Sequence, residues 1–326
     1  MRTGYASIFP SVLALTQRAS ANFFLKDIFV GHDFLDGWTW QTIDDPTHGR
    51  VNYVDQPTAL QANLSYATGE KFVMRADDWS TVPASARGRD SIRIVSNDAY
   101  EDAVFVLDLE HMPQGCSTWP AFWTLSEKGP WPKGGEIDII EGVNLATNNQ
   151  ATLHTLPSCT EPDYPDRRQT GTTISTNCDT SFNFNQGCGV SFTSPAGSYG
   201  APFNAARGGH YAMARTRQAG VQVWFWPRSH PRIPEEIKSG ADVLWPNPSW
   251  GTPVATFSWN TCDYDAHFDA HQMIFDLTLC GDWAGNAWST SGCGTDSCVD
   301  YVNNNPSAFA EAYWEINSLR VYTPKW

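Results

Sequence analysis

The sequence is short of uninterrupted apolar runs, of positive charge and of helical periodicity. No stretch approaches the roughly 18 consecutive apolar residues that a membrane-spanning helix needs, so no such helix is expected. Lys and Arg number 21 against 35 Asp and Glu, giving a formal charge of −14 that repels nucleic acid and anionic glycans. Repeats, low-complexity tracts and a Pro/Ser-rich linker are missing, so the 326 residues read as one domain although their length allows two. Paired Cys-x-x-Cys spacing is missing too, and Cys293 and Cys298 have no matching His pair, which argues against structural zinc.

Cysteine itself is plentiful. The 8 cysteines are Cys116, Cys159, Cys178, Cys188, Cys262, Cys280, Cys293 and Cys298, an even count that fits disulfides formed in an oxidising compartment. Sequence alone does not choose among their many possible pairings. Residues 1–21 read as an atypical signal peptide: a basic start at Arg2, an apolar stretch from Tyr5 to Leu15 broken by Pro10, then Ala19-Ser20-Ala21 as a cleavage site. Loss of that leader, with Arg2 and Arg18, deepens the charge to −16 and leaves residues 22–326 as a single secreted domain. Asn63-Leu64-Ser65 is the one permitted N-glycosylation triplet, because Pro248 and Pro306 spoil the other two.

Alternation and turn signals point to strands. Val104 to Leu109, Tyr211 to Arg217, Val221 to Trp226 and Ile274 to Leu279 all carry β-prone patterns, the middle two joined across Gly220. The one expected helix runs from Ser307 to Ala312, entered through Pro306. Leu156 to His210 lacks periodicity and reads as a long loop pinned by three of the cysteines.

The chemistry concentrates in Gly134-Gly135-Glu136-Ile137-Asp138-Ile139-Ile140-Glu141-Gly142. Isoleucines flanked by glycines favour a short strand, on which Glu136 and Asp138 share a face and Glu141 falls on the other. A β-bulge near Ile139-Ile140 would return Glu141 to that face. Two carboxyl groups about 5–5.5 Å apart are what a retaining glycosidase needs, and a third beside them raises proton affinities. Trp119, Trp123 and Trp131 lie just upstream, among 15 Trp, 17 Phe and 11 Tyr in the chain. Flat aromatic walls beside carboxylates suit the apolar faces and hydroxyl edges of a sugar. Trp119 is the one of the three expected to serve as core packing.

These segments, with Met112-Pro113-Gln114-Gly115-Cys116, His48 to Asp55, Asp90 to Ile94, Thr152 to Thr155, Cys280 to Gly285 and the end from Asn305 to Tyr322, resemble glycoside hydrolase family 16. The match is nearest its fungal endo-β-1,3(4)-glucanases, or laminarinases. The resemblance implies an all-β jelly-roll sandwich of two antiparallel sheets, with a concave sheet forming the glycan cleft. It also implies Glu136 as nucleophile, Glu141 as acid/base and Asp138 as electrostatic helper. Trp123, Trp131, Asn52, Arg93, His154 and Trp283 match positions that bind substrate in similar enzymes. The Glu-x-Asp-x-x-Glu spacing resembles the laminarinase branch rather than the lichenases and xyloglucan transglycosylases.

Two positions depart from the family pattern. Ala214 stands where Glu is usual, which would loosen either the sheet or a subsite, and Asp276 stands where Asn is usual, which would add charge to the cleft if it faces inward. His48 and His267 read as structural. The expected partner is a neutral β-glucan, with no nucleic acid, no membrane, no metal and no cofactor, and the expected state is a monomer. A transglycosylase that remodels cell wall is the alternative activity, and a non-catalytic glucan-binding protein is a weaker one because both glutamates are present.

Overall fold

A computed structural model describes residues 22–164, 167–246 and 248–325; the suspected leader lies outside them. The chain folds into two antiparallel sheets packed face to face, the jelly-roll sandwich expected from the sequence. One sheet has eight strands, and at its centre Gln150–His154, Glu136–Glu141, Thr118–Ser126, His271–Leu279 and Arg93–Tyr100 lie side by side in that order. The other is built around Tyr313–Pro324, Ala103–His111, Gly209–Thr216 and Gly220–Pro227, also adjacent in that order.

Side-chain alternation decides what each face does. In Ala103–His111, Phe105, Leu107 and Leu109 enter the core between the sheets, where they meet Ile94, Phe122, Ile137, Phe275 and Trp314. Val104 and Val106 point the opposite way yet are also buried, in a second cluster with Trp224, Trp226, Ile237, Leu244 and Trp250. The chain between Gly220–Pro227 and the strand Ala255–Phe257 folds back over that outer face and covers it. Ala214 belongs to this second cluster, on the sheet that does not carry the carboxylates, so its difference from the family bears on sheet packing and not on a subsite.

Two expectations need correction. Pro306–Phe309 forms a 3₁₀ turn in place of the expected helix from Ser307 to Ala312, and short α-helices occur where none was read, such as Gln56–Gln61 and Cys298–Asn304. Their caps carried the signal: Asp55 and Ser297 accept from the backbone N–H of Thr58 and Asp300. The stretch from Leu156 to His210 is not one loop, because Cys188–Ser191 and Thr172–Thr173 extend the eight-stranded sheet beyond Gln150–His154. Alternation is too short in these segments to show in the sequence; pairing with a neighbour creates the strand.

All eight cysteines are paired, as Cys116–Cys293, Cys159–Cys262, Cys178–Cys188 and Cys280–Cys298. Cys178–Cys188 secures the added strands, while Cys116–Cys293 and Cys280–Cys298 hold the loops at the end of the sheet that carries Glu141, around Trp288 and Phe309.

Candidate active site

The expected bulge is present. Toward Thr118–Ser126, Asp138 lies opposite Trp123 and Ile140 opposite Phe122, which leaves Ile139 as the extra residue; toward Gln150–His154 the register also slips between Asp138 and Glu141. Ile137, Ile139 and Ile140 all enter the core, so the parity change is absorbed on the apolar side and Glu141 returns to the face of Glu136 and Asp138. A bulge frees backbone groups that must find partners. Buried Asn149 supplies both: its Oδ1 accepts from Glu141 N at 2.9 Å and its Nδ2 donates to the Ile139 carbonyl at 2.8 Å. Upstream, Gly134 and Gly135 turn the chain at φ of 81° and 82°, and a Cβ on either would lie within 2.6 Å of Ser126 or Phe268.

Each glutamate is held by an indole. Trp131 Nε1 donates to Glu136 Oε2 at 2.7 Å, and Trp119 Nε1 donates to Glu141 Oε1 at 2.9 Å. Trp119 is thus not core packing, which corrects the expectation. It is half-buried, edge-on to Trp283 with ring centroids 5.7 Å apart. Its position four residues before Trp123 on a strand puts both on one face, and that spacing was the available signal. Trp131 is 45% exposed, an open aromatic wall beside Glu136.

On the neighbouring strand, Asp276 does face the site. It is buried, lies opposite Arg93 across the pair, accepts from Trp123 Nε1 at 3.3 Å and from Tyr53 Oη at 3.3 Å, and sits 3.4 Å from the Arg93 guanidinium. Arg93 in turn lies over the Trp123 ring at 5.0 Å. His154, on the other flank, places Nε2 3.4 Å from Asp138 Oδ2 and Nδ1 2.8 Å from Asn185 Oδ1. Asn52 donates its amide to Asp90 and accepts from Arg87, on the parallel pair Val51–Tyr53 and Arg89–Ser91 beside the eight-stranded sheet. Asn185 and Tyr53 were not found from sequence, because both reach the site from segments whose positions no local pattern sets.

Four carboxyl groups share this face with one guanidinium, and burial dominates their proton affinities. Asp138 is pushed well above the usual range by burial and by the charges of Glu136 and Glu141. Glu136 and Glu141 are each raised to about 7 by burial, but their surroundings differ. The Trp131 bond and the Arg93 charge pull Glu136 back toward its ionised form. Glu141 is eased by Trp119 and His154 but raised by the negative charges of Glu136 and Asp276. Asp276 itself is raised to about 6 by burial, and His154 is lowered by it. Glu136, Asp138 and His154 also bring one potential metal ligand each to within 4.8 Å of one another.

The family model described as XgeA-like, catalytic GH16 domain matches residues 38–322. A probable glycosidase of Schizosaccharomyces pombe is 46% identical over 299 residues, which is 90% of this chain and 68% of that protein. A probable endo-1,3(4)-beta-glucanase of Neosartorya fischeri is 43% identical over 97% of this chain and 48% of its own length. The chain thus spans about half the length of several curated relatives. Among solved structures, GH16 Laminarinase 16A from Phanerochaete chrysosporium, with two β-glucans in donor and acceptor sites, is 50% identical with a TM-score of 0.88, over 93% of this chain and all of that one. An elongating GH family 16 beta-1,3-glucosyltransferase is 39% identical with a TM-score of 0.82, over 92% of this chain. By sequence profile, by relatives and by fold, the chain belongs to glycoside hydrolase family 16.

Proposed function

We propose that the protein is a retaining endo-β-1,3(4)-glucanase that cleaves laminarin and some mixed-linkage β-glucan. The observation that carries this reading is the bulge, which sets Glu136, Asp138 and Glu141 on one face with an indole N–H on each glutamate. Glu136 is the nucleophile. Its carboxylate attacks the anomeric carbon while Glu141 protonates the departing oxygen; Glu141, now a base, then takes a proton from the water that releases the sugar from Glu136. The electrostatics support this division. Arg93 favours a charge on Glu136, and the charges of Glu136 and Asp276 favour a proton on Glu141. The Trp131 N–H steadies Glu136 while it is ionised, and the Trp119 N–H steadies Glu141 after it has lost its proton. Asp138, protonated between them, adds no third charge to the face and so allows Glu136 to ionise.

Trp123, Trp131 and Trp283 supply sugar-stacking walls, with Arg93 and His154 at the polar edges; Asn52 would act from the rim through Arg87. The relatives support the substrate class, being named endo-1,3(4)-beta-glucanases or solved with β-glucans bound. The glucosyltransferase relative favours a second reading, in which another sugar displaces Glu136 in place of water. The chain acts outside the cell as a monomer on a neutral glucan, without nucleic acid or membrane. Four disulfides, an exposed Asn63 and the absence of an apolar membrane-length helix among the described residues are consistent with that setting.

Incubation with laminarin, lichenan and xyloglucan, with product sizing and proton NMR of the first anomers formed, tests the reading. Shorter β-1,3-linked products of retained configuration are expected. Inverted products would refute the mechanism, cleavage confined to β-1,4 glucan would refute the substrate, and products longer than the starting chains would establish transfer.

A further inference from the structure

We infer that Glu136, Asp138 and His154 form a binding site for a borderline transition-metal dication, of which Zn²⁺ is the simplest occupant. Three features of the structure point to it. The first is spacing. The three potential ligand atoms lie within 4.8 Å of one another, and Asp138 Oδ2 to His154 Nε2 measures 3.4 Å. A tetrahedral Zn²⁺ with bonds of about 2.0–2.1 Å has ligand edges of about 3.3 Å, which the Asp138–His154 pair matches.

The second feature is an unmet need. Asp138 is 3% exposed, and its Oδ2 has no hydrogen-bond partner, although His154 Nε2 lies close by. A buried polar atom of this kind calls for a partner, which in the free protein is the proton that Asp138 holds. The third is the tautomer of His154. Its Nδ1 donates to Asn185 Oδ1 at 2.8 Å and burial disfavours a second proton, which leaves Nε2 bare on the side of Asp138. A metal-binding histidine is oriented in the same way, its far N–H fixed on an outer acceptor and its near nitrogen bare. The proton that Asp138 holds in the free protein has to leave on binding, and a dication that displaces it takes up a lone pair from Asp138 Oδ2 and one from His154 Nε2.

The donor set selects the ion. One imidazole and two carboxylates suit Zn²⁺ and its neighbours, while Ca²⁺ and Mg²⁺ require six or more oxygens or a near-octahedral shell. Asp276 adds negative potential, with Arg93 as the nearby cation. Half-buried Glu136 leaves the fourth position facing the cleft, where water completes the shell. Binding does not depend on the role of Glu136. Its consequence does, and rests on the glucanase reading: a metal on the Glu136 carboxylate occupies the electron pair that would attack the sugar, so Zn²⁺ and substrate compete.

Isothermal titration of the purified protein with ZnCl₂ in a non-coordinating buffer at neutral pH is the test. One Zn²⁺ per chain is expected, in the micromolar range, with no matching heat from MgCl₂ or CaCl₂. His154→Gln and Asp138→Asn, each checked for folding by thermal unfolding, should weaken binding by about tenfold or more. Absence of stoichiometric Zn²⁺ uptake, or uptake of unchanged affinity in both folded variants, would overturn the site and place any bound ion on surface pairs such as His48 with Asp282. The effect of Zn²⁺ on laminarin cleavage, with Glu136→Gln titrated alongside, separates the two readings: uptake weakened by Glu136→Gln with competitive inhibition supports both, and uptake so weakened without inhibition upholds the metal site while removing Glu136 as nucleophile.

Discussion

Asp108 and Asp138 are aspartates on central strands of opposite sheets, and the protein treats them in opposite ways. Burial alone would raise both. At Asp108 it is more than offset by His210, by Arg228 at 2.7 Å and by Asn317 at 3.0 Å, and its carboxyl is held well below the usual range. At Asp138 nothing offsets burial: His154 stands 3.4 Å away without a hydrogen bond to it, the neighbouring charges are negative, and the carboxyl rises well above the usual range. The first arrangement stabilises the sandwich. The second destabilises it locally and stores proton affinity between Glu136 and Glu141.

The largest test of that contrast removes the glutamates. Glu136→Ala should reduce laminarin turnover by about 10⁴-fold or more, and azide should restore it with an inverted glycosyl azide. Glu141→Ala should lose about 10²–10⁴-fold on laminarin but far less on activated aryl glycosides, and azide should give the retained product. Asp108→Asn should leave both activities near wild type. A reversed pair of azide products would exchange the two glutamate roles.

Next comes the clamp on the bulge. Asn149→Ala leaves Glu141 N and the Ile139 carbonyl without partners, so stability should fall by about 2–4 kcal/mol in urea unfolding. Turnover should fall as well, since Glu141 loses its fixed direction; wild-type kcat in the folded variant would show that pairing with the flanking strands suffices to hold the bulge.

A smaller effect, opposite in sign at the two sites, concerns pH. A depressed carboxyl adds stability above its unfolded pKa, near 4, and that contribution disappears as pH falls through the lower folded value. Asp108→Asn should therefore destabilise by about 1–3 kcal/mol at pH 7 and by progressively less below pH 4. A raised carboxyl does the reverse. Between the unfolded value near 4.5 and the folded value of about 7, the native state holds the extra proton, so stability declines as pH rises through that window.

The smallest effect follows from the same linkage. Glu136→Gln and Glu141→Gln should each stabilise the protein at pH 8, by about 1–2 kcal/mol after allowance for their partial exposure, and the gain should fade toward pH 5. Thermal unfolding at the two pH values reads this directly. A gain that is equal at both would assign it to hydrogen bonding rather than to charge.

Much of the site was legible because it is local. Glu136, Asp138 and Glu141 occupy six residues, and the parity conflict between Asp138 and Glu141 pointed to the bulge that the structure contains. Trp123, Trp131, Arg93 and His154 were also named, and they surround the carboxylates. Trp119 was misread because a tryptophan on a strand looks the same in sequence whether it faces the core or the cleft. Only its bond to Glu141 decides. Asn149 and Asn185 left no signal at all, since a single amide in a polar stretch acquires its role from what the fold brings beside it.

The sequence by itself determined the class of fold, the carboxylate row and the need for a bulge, because alternation and spacing are properties of neighbouring residues. The tertiary structure alone decided which cysteines pair, that Asp276 faces the cleft and Ala214 does not, and how each glutamate is biased. Those outcomes depend on burial and on charges from strands distant in the chain, as when Asp276 meets Arg93 across 183 residues, and no local pattern encodes them.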